Sequence, residues 1–96
     1  MAYELPVGPV VAPAEELRTV GALVTRLRDN ASLVVVNARA GAASAVALAL
    51  DQARLPEVLG SIAGDDTVFV APAPGTSAAR LRQRLEEFFY KREKRE

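Results

Sequence analysis

Two short runs set the terms for this chain: Leu33-Val34-Val35-Val36 and Val68-Phe69-Val70 are apolar at consecutive positions and too brief to be helices. Extended backbone sends successive side chains to opposite faces, so strands of this kind are apolar on both. A sheet containing them needs cover on two sides. The 96 residues, half of them apolar, suffice for one domain with a modest core and leave no room for a second.

The remaining elements follow from local pattern. Residues 1–13 carry Pro6, Pro9, Pro13 and Gly8, a composition that resists helix and reads as a linker or arm, with the folded domain running from 14 to 96. A short helical turn is expected after Glu15. Leu23, Thr25 and Leu27 then alternate with Val24, Arg26 and Arg28, which favours a strand with one wetter face, and Asp29-Asn30-Ala31-Ser32 turns the chain into the first apolar run. From Gly41 to Arg54 the chain is alanine-rich, with Ala42, Val46, Ala49, Leu50 and Ala53 at helical spacing and Pro56 as a stop. Two more strands are expected around 59–63 and 66–71, bent near Gly64-Asp65 and closed by Pro72 and Pro74. A last helix spans Ser77 to about Lys91, capped by Thr76 or Ser77, with Ala78, Leu81, Leu85, Phe88 and Phe89 as its apolar stripe; the closing KREKRE frays.

The order strand, strand, helix, strand, strand, helix predicts an α+β two-layer sandwich: a four-stranded antiparallel sheet with two helices on one face (β-β-α-β-β-α). The other face stays apolar, so the sequence predicts that a second copy of the chain covers it.

Composition narrows the function. Twelve basic and twelve acidic residues cancel, which disfavours autonomous binding to nucleic acid or an anionic membrane. Without cysteine or histidine there is no thiol nucleophile, imidazole base or soft metal site, and an isolated acid pair offers no nucleophile with a base, so the chain reads as a non-enzyme. No leader pattern or membrane-length apolar stretch is visible, and the expected location is cytoplasmic.

The adjacent carboxylates of Asp65 and Asp66, after Gly64, admit three readings. A Gly-Asp pair ordinarily marks a turn, because glycine accepts positive φ and aspartate bonds back to backbone. Gly-Asp-Asp also holds magnesium in polymerase palm domains, but those need a longer chain and further carboxylates. Thirdly, paired carboxylates on a rigid hairpin can accept bidentate hydrogen bonds from a planar guanidinium. Ser44 and Asp51, seven apart, share one face of the alanine-rich helix, where ordinary solvent exposure is the plainer explanation. The helix start at Gly41-Ala42-Ala43 offers backbone N–H groups to a carboxylate.

LPEVLGSIAGDDTVFVAP resembles the signature of the C-terminal, oligomerisation and arginine-binding domain of bacterial arginine repressors. NARAGAASAVALALDQARLP resembles the helix ahead of that signature, and Tyr3-Glu4-Leu5-Pro6 the segment where the DNA-binding domain ends. The resemblance implies the same fold, trimers paired face to face into hexamers, and L-arginine bound between trimers as corepressor, with no other cofactor. It implies ligand contacts from Ser44, Asp51, Ser61, Ala63, Gly64, Asp65 and Asp66, with Ser44 where some members use glutamine. At least one acid of the pair is implied to reach an arginine held mainly by the opposite trimer. Operator DNA would be read by an N-terminal winged helix-turn-helix domain that these residues do not hold. A different amino-acid-sensing module that regulates an enzyme is the alternative.

Overall fold

A computed structural model describes residues 20–91. The arm at 1–13, the segment around Glu15 and the final residues of KREKRE lie outside them. The described chain enters as a helical turn at 20–23 and runs through β1 (Val24–Asp29), β2 (Val34–Ala38), α1 (Ala43–Ala53), β3 (Val58–Ala63), β4 (Thr67–Pro72) and α2 (Ala78–Glu86). The four strands and the first helix lie within two residues of their anticipated bounds, and the last helix begins where expected.

The four strands form one antiparallel sheet in the order β1-β2-β4-β3, which places the two apolar runs side by side in the middle. Their register fixes what each face carries. Val34 pairs with Val70 and Val36 with Val68, and all four side chains are fully buried on the helix side. α1 lies mainly over β3 and β4 and contributes Val46 and Leu50; α2 lies mainly over β1 and β2 and contributes Ala78, Leu81 and Leu85. Val35 and Phe69, the alternate residues, therefore point away from the helices.

Among the described residues, nothing covers that outer face. Leu59, Ile62 and Phe69 are 66%, 76% and 52% exposed, and Ile62 stands directly opposite Phe69 in the ladder. With Leu33 and Ala71 they border a shallow depression of roughly 480 Å³. Bulges interrupt both outer ladders, between Val24 and Arg26 in β1 and between Val58 and Gly60 in β3. Such bulges add twist at the edges of a sheet.

The connections have specific causes. Between β1 and β2, Asn30 Oδ1 accepts from the N–H groups of Ser32 and Leu33 at 3.0 and 2.9 Å, while Ala31 adopts φ +79°. α1 ends at Arg54 in left-handed geometry (φ 52°, ψ 48°), two residues before Pro56. Ser77 is the cap of α2, its Oγ accepting from Arg80 N–H at 3.0 Å. Arg82 then ties α2 to the sheet, its Nε donating to Asp29 Oδ2 and its NH1 to Glu86 Oε2, both at 2.7 Å. The two carboxylates raise the pKa of the Arg82 guanidinium, chiefly through these hydrogen bonds, so the clamp stays charged at any physiological pH.

One expectation is corrected in detail. The last helix does not run as α-helix to Lys91: it ends at Glu86 and continues as a wider π turn, Glu87–Lys91. The change of pitch buries Phe89, leaves Phe88 half-buried, and sets the two rings edge to face at 5.0 Å.

Candidate functional site

The acid pair sits at the tip of the β3–β4 hairpin. Gly64 N–H donates to Thr67 O at 2.8 Å, which makes Asp65 and Asp66 the two central residues of a tight turn. Both are exposed. Glycine's freedom is not what shapes this turn: Gly64 is not at positive φ, and a Cβ there would meet only Thr67 O at an ordinary 3.6 Å. Positive φ occurs instead at Gly41 (φ +78°), on the loop that leads into α1.

That loop and the turn hold each other. Ala42, the residue at the cap of α1, has no side-chain hydrogen bond to offer the helix. Asp65 substitutes from 24 residues away, its Oδ2 accepting from Gly41 N–H at 3.3 Å and its backbone oxygen from Ala43 N–H at 3.1 Å. A negative side chain beside a helix N-terminus is favourably placed against the helix dipole. Asp66 O accepts from Ala38 N–H at 2.8 Å, which fixes the other side of the turn to the end of β2. The acid pair thus rides on backbone pinned at three points.

Thr67 Oγ1 donates to Asp66 Oδ1 at 2.9 Å, and Asn37 Nδ2 donates to Thr67 Oγ1 at 3.2 Å. Arg28 NH2 donates to Asn37 Oδ1 at 2.9 Å. Neither Asp65 nor Asp66 enters an ion pair among the described residues.

The other expected site residues fall in three places. Ser44 is exposed in the first turn of α1, at the end of the helix that the acid turn caps, and Ala63 leads directly into that turn. Asp51 is exposed nearly two helical turns further on, about 10 Å along the axis, beside a hollow of about 330 Å³ bordered by Arg54, Val58 and Gly60. Ser61 pairs with Val70 on the helix side of the sheet, and its Oγ is buried without a hydrogen-bond partner. Within the chain, then, Ser44 and the acid turn come together, whereas Asp51 and the Ser61 hydroxyl stand apart from them. Two of the helix-start donors, Gly41 and Ala43 N–H, are occupied by Asp65, and Ala42 N–H donates to Arg39 O. Among the described residues no three acidic side chains group as a metal site, and no helix is long and apolar enough to cross a membrane.

The residues the sequence reading passed over are Asn37 and Thr67, and it did not foresee that Asp65 takes the Gly41 N–H. These contacts span 24 to 30 positions, so only the register of β2 against β4 brings the groups together.

A family model described as "Arginine repressor, C-terminal domain" matches residues 20–87, the whole of the sheet and both helices. The chain belongs to that family. It is 52% identical over 83 residues to the arginine repressor of Anaeromyxobacter sp. (strain Fw109-5), an alignment covering 86% of this chain and 51% of that protein. It is 48% identical over 77 residues to the arginine repressor of Desulforudis audaxviator, covering 78% and 51%, and 37% identical over 84 residues to that of Symbiobacterium thermophilum, covering 86% and 56%. The chain spans about half the length of these curated relatives. Their name makes them regulators rather than enzymes.

Proposed function

We propose that this domain binds L-arginine as a corepressor and uses it to hold trimers together as hexamers, within an arginine-dependent repressor of arginine-metabolism genes. The observation that carries the reading is the β3–β4 turn, where two adjacent carboxylates, both exposed and neither ion-paired among the described residues, ride on backbone fixed to β2 and α1. A planar guanidinium matches such a target with parallel N–H donors, and an ammonium cannot copy that fork.

In this reading Asp65 and Asp66 receive the guanidinium, with at least one acting on an arginine held mainly by a subunit of the opposite trimer. Asp51 and Ser44 contribute from α1, and water completes the reach of the short Ser44 side chain. Ser61, Ala63 and Gly64 contribute as backbone, which agrees with the inward-turned Ser61 hydroxyl. Ser44 and Ala45 N–H, which carry no partner among the described residues, are available to the ligand's carboxylate.

Assembly then follows by linkage. Carboxylates from facing trimers repel when the site is empty, and a cation between them converts that repulsion into charge-assisted hydrogen bonds. A ligand that binds only the assembled state stabilises it in proportion to its occupancy. The apolar outer face of the sheet supports the trimer in the same scheme, because it carries the contiguous exposed surface such a contact requires. In a protein of the relatives' length, the ring would space attached winged-helix domains on operator DNA.

Calorimetric titration with L-arginine, L-lysine and L-citrulline tests the reading. Citrulline keeps the shape of arginine and lacks its charge, so arginine is expected to bind at least about tenfold more tightly than either, equivalent to one charged hydrogen bond. Equal affinity for all three rules out a guanidinium clamp.

A further inference from the structure

A row of hydrogen-bonded polar side chains lies on the outer face of the sheet and ends on the acid pair. Arg28 on β1, Asn37 on β2 and Thr67 on β4 are linked in sequence to Asp66 by hydrogen bonds of 2.9, 3.2 and 2.9 Å. Asn37 and Thr67 are direct cross-strand partners, and Arg28 reaches Asn37 diagonally.

The chemistry of the two ends fixes every proton between them. Arginine has donors only, so the Asn37 atom facing it is the carbonyl oxygen, and the amide Nδ2 is turned toward Thr67. With one Thr67 lone pair occupied by that amide, and a carboxylate oxygen as the other neighbour, the hydroxyl hydrogen is directed to Asp66 Oδ1. Reversing any one member would break two bonds. Asp66 Oδ2 has no protein partner among the described residues.

We propose that Asn37 and Thr67 are positioning residues for ligand selection: by anchoring one lone pair of Asp66 Oδ1, they fix the plane of the carboxylate and leave Oδ2 and the second lone pair of Oδ1 to the ligand. The inference rests on the guanidinium-binding role given to Asp66 above. Orientation matters unequally to different cations. A guanidinium fork requires a carboxylate held in a matching plane, whereas an ammonium with three rotatable donors accepts many orientations. The row therefore acts on the preference for arginine over lysine, beyond affinity for positive charge.

Calorimetry with L-arginine and L-lysine on four proteins tests this: wild type, Thr67→Val, Asn37→Asp and Thr67→Ser. Valine keeps the shape of threonine and removes the hydroxyl. Aspartate at 37 keeps the Arg28 contact and removes the donor that directs the Thr67 proton. Both are expected to weaken arginine binding about tenfold, to change lysine binding less than about twofold, and to leave the mass of the ligand-free assembly by light scattering unchanged. Thr67→Ser, which keeps the hydroxyl, is expected to restore the preference. Parallel loss of arginine and lysine in Thr67→Val, or a Thr67→Ser protein as unselective as Thr67→Val, overturns the inference. A wild type without preference for arginine overturns the guanidinium reading and this inference together; a preference kept by all three variants overturns the inference alone.

Discussion

At the scale of single residues, the strained position is Ala31 rather than a member of the acid turn. Its φ of +79° lies where a Cβ is crowded, and it sits between Asn30 and the two amides that the Asn30 side chain holds. Ala31→Gly removes that crowding, partly offset by the greater freedom of glycine in the unfolded chain, and is expected to stabilise the fold by about 0.5–1 kcal/mol in urea denaturation. The sequence marked this turn through its Asp29-Asn30-Ala31-Ser32 cluster without showing which residue carries the strain. The acid pair was legible in a similar, partial way. Its place on a hairpin follows from Gly64-Asp65 between two short runs that read as strand. That Asp65 caps a helix begun 22 residues earlier does not, because capping is read locally and Ala42 carries no side-chain signal for it.

At the scale of elements, periodicity located β1 and both helices, since burial on one side imposes a repeat of 2 or 3.6 on the sequence, whereas the central strands showed as short apolar runs without a repeat. It failed at the end of the last helix, where Phe88 and Phe89 both fit the stripe and only a change to π geometry decides between them. The same region holds a close approach of two backbone segments. Gly21, in the turn at 20–23, lies where a Cβ would stand 2.3 Å from the carbonyl oxygen of Phe89. Gly21→Ala must push the entering turn off the π segment, and its expected cost is about 1–3 kcal/mol, read as a lowered thermal midpoint. Gly60→Ala is the control, because a Cβ there meets nothing within 4 Å and the midpoint is expected to hold.

At the scale of the whole molecule, the two apolar runs that opened the sequence reading have one face in the core and one in the open. Placing carboxylates in the open face tests its use: Ile62→Asp with Phe69→Asp is expected to reduce the proposed trimer to monomer at micromolar concentration in sedimentation while the fold persists, as both side chains lie outside the core. An unchanged sedimentation coefficient would free that face from any part in assembly. The central claim concerns the step above it, in which arginine between facing acid pairs joins trimers. Light scattering over a dilution series gives the concentration at which half of the hexamers separate, with and without L-arginine, for wild type and for the Asp65→Asn, Asp66→Asn double variant. The account predicts that arginine lowers this concentration at least about tenfold for wild type, by linkage to ligand binding, and leaves the double variant unmoved; an equal response from both proteins would contradict it.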